Sequence, residues 1–513
     1  MKNNDKHVVI AGAGPSGLAA AYQLCQFGVS VEVFEKDELV GGIARTAQHE
    51  GYRFDMGGHR FFTKVAEVNA LWREVLGAQF LRRPRLSRIY YDGKYFQYPL
   101  KPWNALSGLG FYQAVRIGFS YLKWQARPHT KEETFEHWVT NRFGRRLFLI
   151  FFRAYTEKVW GIPCSELKAE WAAQRIKDLS LRSAVISMLF QPRKTITSLI
   201  EQFDYPRLGP GMMWEAVTDR VRQFGGSVTL EAPVVRFERE DMRVTAAVIL
   251  KNGKERRVEG SDFISSMPIT QLVSVMDPPP PPEVLEAASK LTYRSFLTVC
   301  LIVDDPDLFP DNWIYVHDPA VLVGRIQNYK NWSADMVPDP SKSGIGMEYF
   351  CDEGDELWCT DDAELIEMAT REFKAIGLVD SPKIIDGVVY RVPKAYPVYD
   401  TDYAEYLTTL KDFVTKLENL QTIGRNGLHR YDNQDHAMMT GMMAARNIAH
   451  GETNDVWSVN TELDYHEELL EEVPVSGIDV GDIDTLQNNS SLIEDTVPEP
   501  PLPESLASPR VRL

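Results

Sequence analysis

The 513 residues are 44% hydrophobic and 25% charged, with a formal net charge of −16; that length exceeds what one hydrophobic core organises, so two or three subdomains are expected. No apolar run approaches the roughly 20 residues of a membrane span, and the first strand pattern begins within a few residues of Met1. Neither a membrane span nor a signal peptide is therefore read, and a cytoplasmic location is expected. The charge is local: from Gly451 onward there are 15 acids and 2 bases, leaving a near-neutral body and no case for nucleic acid as a partner. Cys25, Cys164, Cys300, Cys351 and Cys359 are scattered. They read as reduced thiols, and no metal site is read.

Val8 to Glu35 runs VVIAGAGPSGLAAAYQLCQFGVSVEVFE, an apolar run, a glycine-rich turn, a helix and a second apolar run that ends on an acid. Gly12, Gly14 and Gly17 make G-x-G-x-x-G; without a Cβ they allow a tight turn, close approach to a pyrophosphate and close helix-on-strand packing. The helix N-terminus offers free N–H groups to that pyrophosphate, and Glu35 stands where a carboxylate accepts ribose hydroxyls. A dinucleotide fold is predicted. Gly41, Gly42 and Arg45 follow at once, where a nicotinamide-binding unit would run straight into its next helix. In GYRFDMGGHRFFTK, Gly57 and Gly58 can lay backbone against a flat ring, and His59 and Arg60 follow them.

Apolar residues at three- and four-residue spacings predict a helix over 65–80. The segment RIYYDGKYFQYPLKP predicts a hairpin turning at Asp92-Gly93. From Pro102 to about Phe190 the pattern is helical and includes RAYTEKVWGIPCSELKAEWAAQRIKDLSL, which carries Tyr155, Trp160, Trp171 and Arg175; on periodicity alone such aromatics read as buried packing. GGSVTLEAPVVRFER and DMRVTAAVILKNGKERRVEGSDFISSMP alternate like hairpins, and Pro278 to Pro282 reads as a stiff surface loop. Residues 291 to 351 read as strands of one antiparallel sheet, followed by a helix at 362–376. LQTIGRNGLHRYDNQDHAMMTGMMAARNI then combines a strand, a turn and a helix whose N-terminus would face the cofactor ring. Past 451 some order is expected through VWSVNTELDYHEELLEE and little after about 474.

The G-G-x-x-R segment after the second strand resembles the second nucleotide contact of the large FAD-binding oxidoreductase superfamily, so FAD is the cofactor the resemblance implies. GGHRFF, YTEKVWGIP, AEWAAQRI, WIYV, GRIQNY and GRNGLHRYDNQDH, in this order, resemble the UDP-galactopyranose mutases over most of residues 5 to 450. In that family the N5 of reduced FAD is the nucleophile at the sugar's anomeric carbon, with no net redox, and a nucleotide sugar is the substrate. The resemblance implies His59 beside the flavin and Arg175 and Arg325 as diphosphate clamps, the three residues expected to serve the chemistry. It implies Tyr315, Tyr396 and Tyr431 as hydroxyl donors to the diphosphate, Tyr155 and Trp160 in the nucleotide and sugar pocket, and Tyr98 on the uridine. Arg425, Asn433 and Gln434 are implied near the flavin and sugar, and Gly12, Gly14, Gly17, Glu35, Gly42, Arg45 and Gly58 complete the cofactor set. NADPH enters as reductant by the same resemblance, which also leaves room for a homo-oligomer. Thr156 and Lys101 stand where eukaryotic-type members carry amides, and 176–206, which holds Arg182, Arg193 and Lys194, matches poorly.

The fold expected is α/β, a Rossmann-type FAD-binding domain with an inserted helical subdomain and an antiparallel β-sheet substrate domain. The boundaries read are 1–100 and 396–450 for the two parts of the FAD-binding domain, 101–205 for the helices, 206–395 for the substrate sheet with FAD-domain segments interleaved, and 451–513 for the acidic tail. The alternative function is a flavin oxidase or desaturase of the amine oxidase or protoporphyrinogen oxidase kind. It would need an apolar tunnel, whereas the candidate pocket residues are mainly Arg and Tyr.

Overall fold

The computed structural model describes residues 6–98, 100, 102–169 and 202–460. The chain divides into Met1–Glu468 and Leu469–Leu513, and every described residue lies in the first unit. Arg175, Trp171, Arg182, Arg193, Lys194 and the tail after Asn460 lie outside the described residues.

Short β-branched runs build a five-stranded parallel sheet in the order Leu420–Thr422, Asp262–Ser265, His7–Ala11, Ser30–Phe34 and Ser227–Thr229. Its central strand has no exposed apolar side chain, and Val8, Val9 and Ile10 are fully buried, as a strand covered on both faces requires. Ser227–Thr229 and Asp262–Ser265 were expected as hairpin arms, but they are parallel strands of this sheet. Short apolar runs look alike in both settings, and only the helices packed over them decide.

A seven-stranded sheet stands beside it in the order Ile384–Pro397, Tyr293–Val303, Ser343–Cys351, Arg325–Asn328, Trp313–Val316, Ser87–Tyr91 and Lys94–Gln97. All of its pairings are antiparallel except that of Trp313–Val316 with Ser87–Tyr91. The Tyr-rich hairpin at Asp92-Gly93 is thus an edge of this sheet and not part of a cofactor domain ending at residue 100. A smaller sheet of Lys254–Glu259, Arg243–Lys251, Val234–Glu240 and Met276–Asp277 packs nearby.

Helices Pro102–Leu109, Phe111–Ala126, Phe135–Phe143 and Arg153–Trp160 form the helical insertion. Gln202–Pro206, at the end of the stretch expected to be helical, is a strand paired antiparallel with Phe80–Pro84. The helix Pro282–Lys290 and the hairpin of Thr46–His49 with Tyr52–Asp55 went unread, the first because a proline run masks its start and the second because RTAQHEGYRFD alternates weakly.

Where the parallel sheet meets the helices Pro15–Gln26 and Gln434–His450, backbones touch. A Cβ on Gly17 would lie 2.0 Å from the Gly12 carbonyl oxygen, and one on Gly441 would lie 2.1 Å from that of Ser16. Gly441→Ala is therefore expected to cost about 1–3 kcal/mol by overpacking and to lower the flavin content of the purified protein. An unchanged urea midpoint with full flavin loading would contradict this packing account.

Candidate functional site

A cavity of about 600 Å³ opens at the carboxyl ends of the parallel strands, the edge where such sheets bind ligands. Gly12, Gly14, Glu35, Gly42, Arg45, His59, Arg425, Asn433 and Gln434 all line it. Gly17 and Gly58 do not. Gly17 instead lets the first helix close on Gly12, and Gly58 backs onto Gln327 and Trp332.

Each lining residue is placed by local structure. Gly12 has φ +102° and Gly42 φ +54°, left-handed values that glycine adopts without a steric penalty. The Glu35 carboxylate accepts N–H groups from Ala13 at 2.7 Å and Asp37 at 3.1 Å, which aims it across the first turn; burial raises its pKa. Arg45 pairs with Asp37 at 2.6 Å. Asn433 caps the helix Gln434–His450 in a capping box with His436, which fixes the start of that helix, with Asn433 and Gln434, at the cavity wall.

The residues present fit a flavin dinucleotide. Beside the glycine turn and the ribose-facing acid, the cavity is lined by Asn426, Asp432 and Gln434, whose Oδ1, Oδ2 and Oε1 atoms are buried without a protein partner. Buried polar atoms are normally satisfied, so a polar ring edge there would complete them. Arg425 donates from Nε and Nη2 to the Asp432 carbonyl and from Nη1 to the Ala395 carbonyl at 3.0 Å. It is therefore largely committed to holding its own loop. His59 Nε2–H donates to the Met56 carbonyl at 2.8 Å. Its half-buried side chain lines the cavity, where burial, with Arg425 and Arg325 nearby, lowers its pKa to about 4.

Beyond Arg425 lies a second set of side chains, set by strand register. Tyr315 pairs with Arg325 and Arg325 with Glu348 on three adjacent strands, so the three side chains share one face. Arg325 pairs with Glu348 at 2.5 Å and donates from Nη2 to the Tyr396 hydroxyl at 2.8 Å. Its Nε is buried with no partner. Burial opposes its charge, but Glu348, Tyr396 and Tyr155 hold its pKa well above the ordinary value. Tyr396 stacks on Tyr431 with centroids 5.6 Å apart, and the Arg425 guanidinium lies 5.5 Å and 4.9 Å from those rings. Tyr155 meets Tyr315 edge-on at 5.6 Å and stacks on His317 at 4.6 Å. Tyr98 lies 4.7 Å from Tyr315 at the exposed end of the group. Trp160 is only 2% exposed and packs behind Tyr396 and Tyr431, a supporting position rather than an open pocket wall.

Several residues went unread. Glu348 is a lone acid in the apolar strand SGIGMEYFC; an acid on a buried strand is itself a signal that a cation stands opposite. Lys158 of KVW donates from Nζ to the carbonyls of Val316, Asp318 (2.6 Å) and Val323, pinning the connection between the strands of Tyr315 and Arg325. Burial lowers its pKa to about 8. Ser266, Met267 and Thr270 line the cavity after the strand Asp262–Ser265, a position readable once that run is known to be parallel.

The chain belongs to the flavin-containing amine oxidoreductase family, whose pattern it matches over residues 15–449. Membership implies FAD as cofactor and an enzyme of the flavin oxidoreductase class. A crystal structure of reduced UDP-galactopyranose mutase shares the fold with a TM-score of 0.78 at 22% identity, over 89% of this chain and 98% of that one. In sequence the chain is similar to L-amino acid oxidase Bs29 of Bothriechis schlegelii, 26% identical over 57% of this chain and 59% of that protein. It is also similar to a probable UDP-galactopyranose mutase of Klebsiella pneumoniae, 25% identical over 46% of this chain and 59% of that protein. The chain thus spans about three fifths of the length of each of these two curated relatives. Among the described residues no helix is long and apolar enough to cross a membrane, and no group of three or more His, Cys, Asp or Glu could hold a metal ion.

The His59 pKa carries a pH dependence of defined sign. Its folded value lies below the ordinary 6.5, so its contribution to stability is complete above pH 6.5 and is lost as pH falls toward 4. The slope is at most about 1.4 kcal/mol per pH unit. Unfolding free energies of wild type and His59→Gln measured from pH 7 to pH 4 should converge as the pH drops; parallel curves would show that the imidazole is not held neutral.

Proposed function

We propose that the protein is a FAD-dependent pyranose-furanose mutase acting on a nucleotide sugar, converting UDP-galactopyranose to UDP-galactofuranose. The observation that carries this reading is Arg325, a largely buried guanidinium with an unpartnered Nε–H, ringed by Tyr155, Tyr315, Tyr396 and Tyr431 beside the cavity. A buried donor without an acceptor calls for a ligand, and a planar guanidinium suits a diphosphate.

When bound, reduced FAD supplies the nucleophile for the anomeric carbon. The protein's part is to hold the departing nucleoside diphosphate and to keep the sugar close. Arg325 neutralises the diphosphate, with the Tyr315, Tyr396 and Tyr431 hydroxyls as donors; Arg175, outside the described residues, is assigned as the second clamp. Tyr155 and Tyr98 flank the uridine side, and Trp160 backs the tyrosine pair. His59, neutral at physiological pH, holds the Met56–His59 turn at the cavity wall without adding a charge beside the ring. NADPH is assigned as the reductant.

An oxidase or desaturase is the second reading, favoured by the similarity to L-amino acid oxidase. Dithionite-reduced, anaerobic protein should interconvert UDP-galactopyranose and UDP-galactofuranose on chromatography, and oxidised protein should not. Oxygen consumption with L-amino acids, without interconversion, would establish the oxidase instead.

Removing Arg325 alone would strand the Glu348 charge, a loss of stability in its own right. The paired variant Arg325→Met/Glu348→Gln removes both charges. It is expected to weaken UDP binding by about 2–4 kcal/mol, read by calorimetry, with flavin content retained. Unaltered UDP affinity would remove Arg325 from the clamp.

A further inference from the structure

We propose that the helix Phe111–Ala126 docks the protein onto an anionic lipid surface. Phe111, Tyr112, Val115, Phe119 and Leu122 are 86%, 71%, 39%, 71% and 64% exposed. At about 100° per residue these five fall on one face, while Ile117, the buried residue of the helix, points the opposite way. The helix therefore turns its apolar stripe outward, the reverse of an ordinary surface helix. Single exposed apolar residues need no explanation, but a contiguous stripe marks a binding face.

Charge identifies what covers it. Arg116 and Lys123 border the stripe, and Arg127 follows the helix. The Arg116 guanidinium lies 5.4 Å from the Tyr112 ring, and none of the three cations enters an ion pair among the described residues. From Gly93 to Lys131 the sequence holds six cations, Lys94, Lys101, Arg116, Lys123, Arg127 and Lys131, and no Asp or Glu, within a chain of net charge −16. Exposed Phe and Leu bordered by Lys and Arg are the features of a helix lying in a lipid interface, with rings among the acyl chains and cations on anionic headgroups. A second copy fits less well. A two-fold contact would set the same patch against itself, bringing like charges together with no acid of this stretch to answer them.

The test uses the full-length, flavin-loaded protein with vesicles of phosphatidylcholine, alone or mixed with phosphatidylglycerol. It should sediment with the mixed vesicles, weakly with phosphatidylcholine alone, and less as salt is raised. Phe119→Glu/Leu122→Glu and Arg116→Glu/Lys123→Glu should each lower partitioning about tenfold or more, with the flavin spectrum and thermal midpoint unchanged. Should either fail to fold, Phe119→Ser/Leu122→Ser and the wild-type salt dependence give the same reading. No sedimentation with the mixed vesicles, or variants that sediment like wild type, would overturn the proposal. So would a homodimer seen by light scattering and split by Phe119→Glu/Leu122→Glu, which would assign the face to a second copy.

Discussion

Backbone packed directly on backbone fixes the cofactor cavity. The first helix can close on the glycine turn because Gly17 leaves its Cβ position to the Gly12 carbonyl, and the last helix can cross the first because Gly441 does the same for Ser16. Gly424, at φ +75°, gives way to the Ser16 side chain in the same place. These contacts leave no room for adjustment, so the N-termini of both helices and the strand ends between them hold their positions. Glu35, Asn433 and Gln434 are consequently carried on rigid elements, which is what a site for an extended dinucleotide requires.

The second organising feature is a charge held in a sheet. Arg325 and Glu348 face each other across adjacent strands, and Gln327 donates from Nε2 to Glu348 Oε1 at 2.5 Å. Such a pair is costly to desolvate and adds little stability of its own. Its effect is to hold a guanidinium at a fixed height above the sheet, with Nε left over. Lys158, bonded to three carbonyls, stiffens the connection that sets the spacing of Tyr315 and Arg325. Polar bonds inside a dry interior are strong enough to specify position, and here they fix Arg325 against Glu348 and Tyr396.

The two regions meet at Arg425. It lines the cavity, clasps the backbone at Ala395 and Asp432, and lies against Tyr396 and Tyr431. The cavity and the tyrosine-ringed charge row therefore share one cation, and its commitment to backbone carbonyls makes it a hinge pin more than a free electrostatic partner. The outward apolar helix Phe111–Ala126 lies on the helical insertion, whose helix Arg153–Trp160 also carries Tyr155 and Trp160.

How much was legible beforehand follows the range of the interactions. Gly12, Gly14, Glu35, Gly42 and Arg45 lie close together in sequence, and a left-handed turn or a backbone contact admits so few residue types that composition at those positions reports conformation directly. The start of the last helix was placed by its turn, but the Asn433 cap with His436 was not read. Strand membership was not, because Ser227–Thr229 and Asp262–Ser265 are short apolar runs whose partners lie far away in the chain. Nor was the Glu348 contact with Arg325, since register alone brings an acid from one strand against a base from another. The sequence by itself determined the dinucleotide cradle, because steric exclusion acts locally. Only the tertiary structure decided the Arg325–Glu348 pairing and the exposed apolar face, because those depend on which distant segments pack together and which are left facing water.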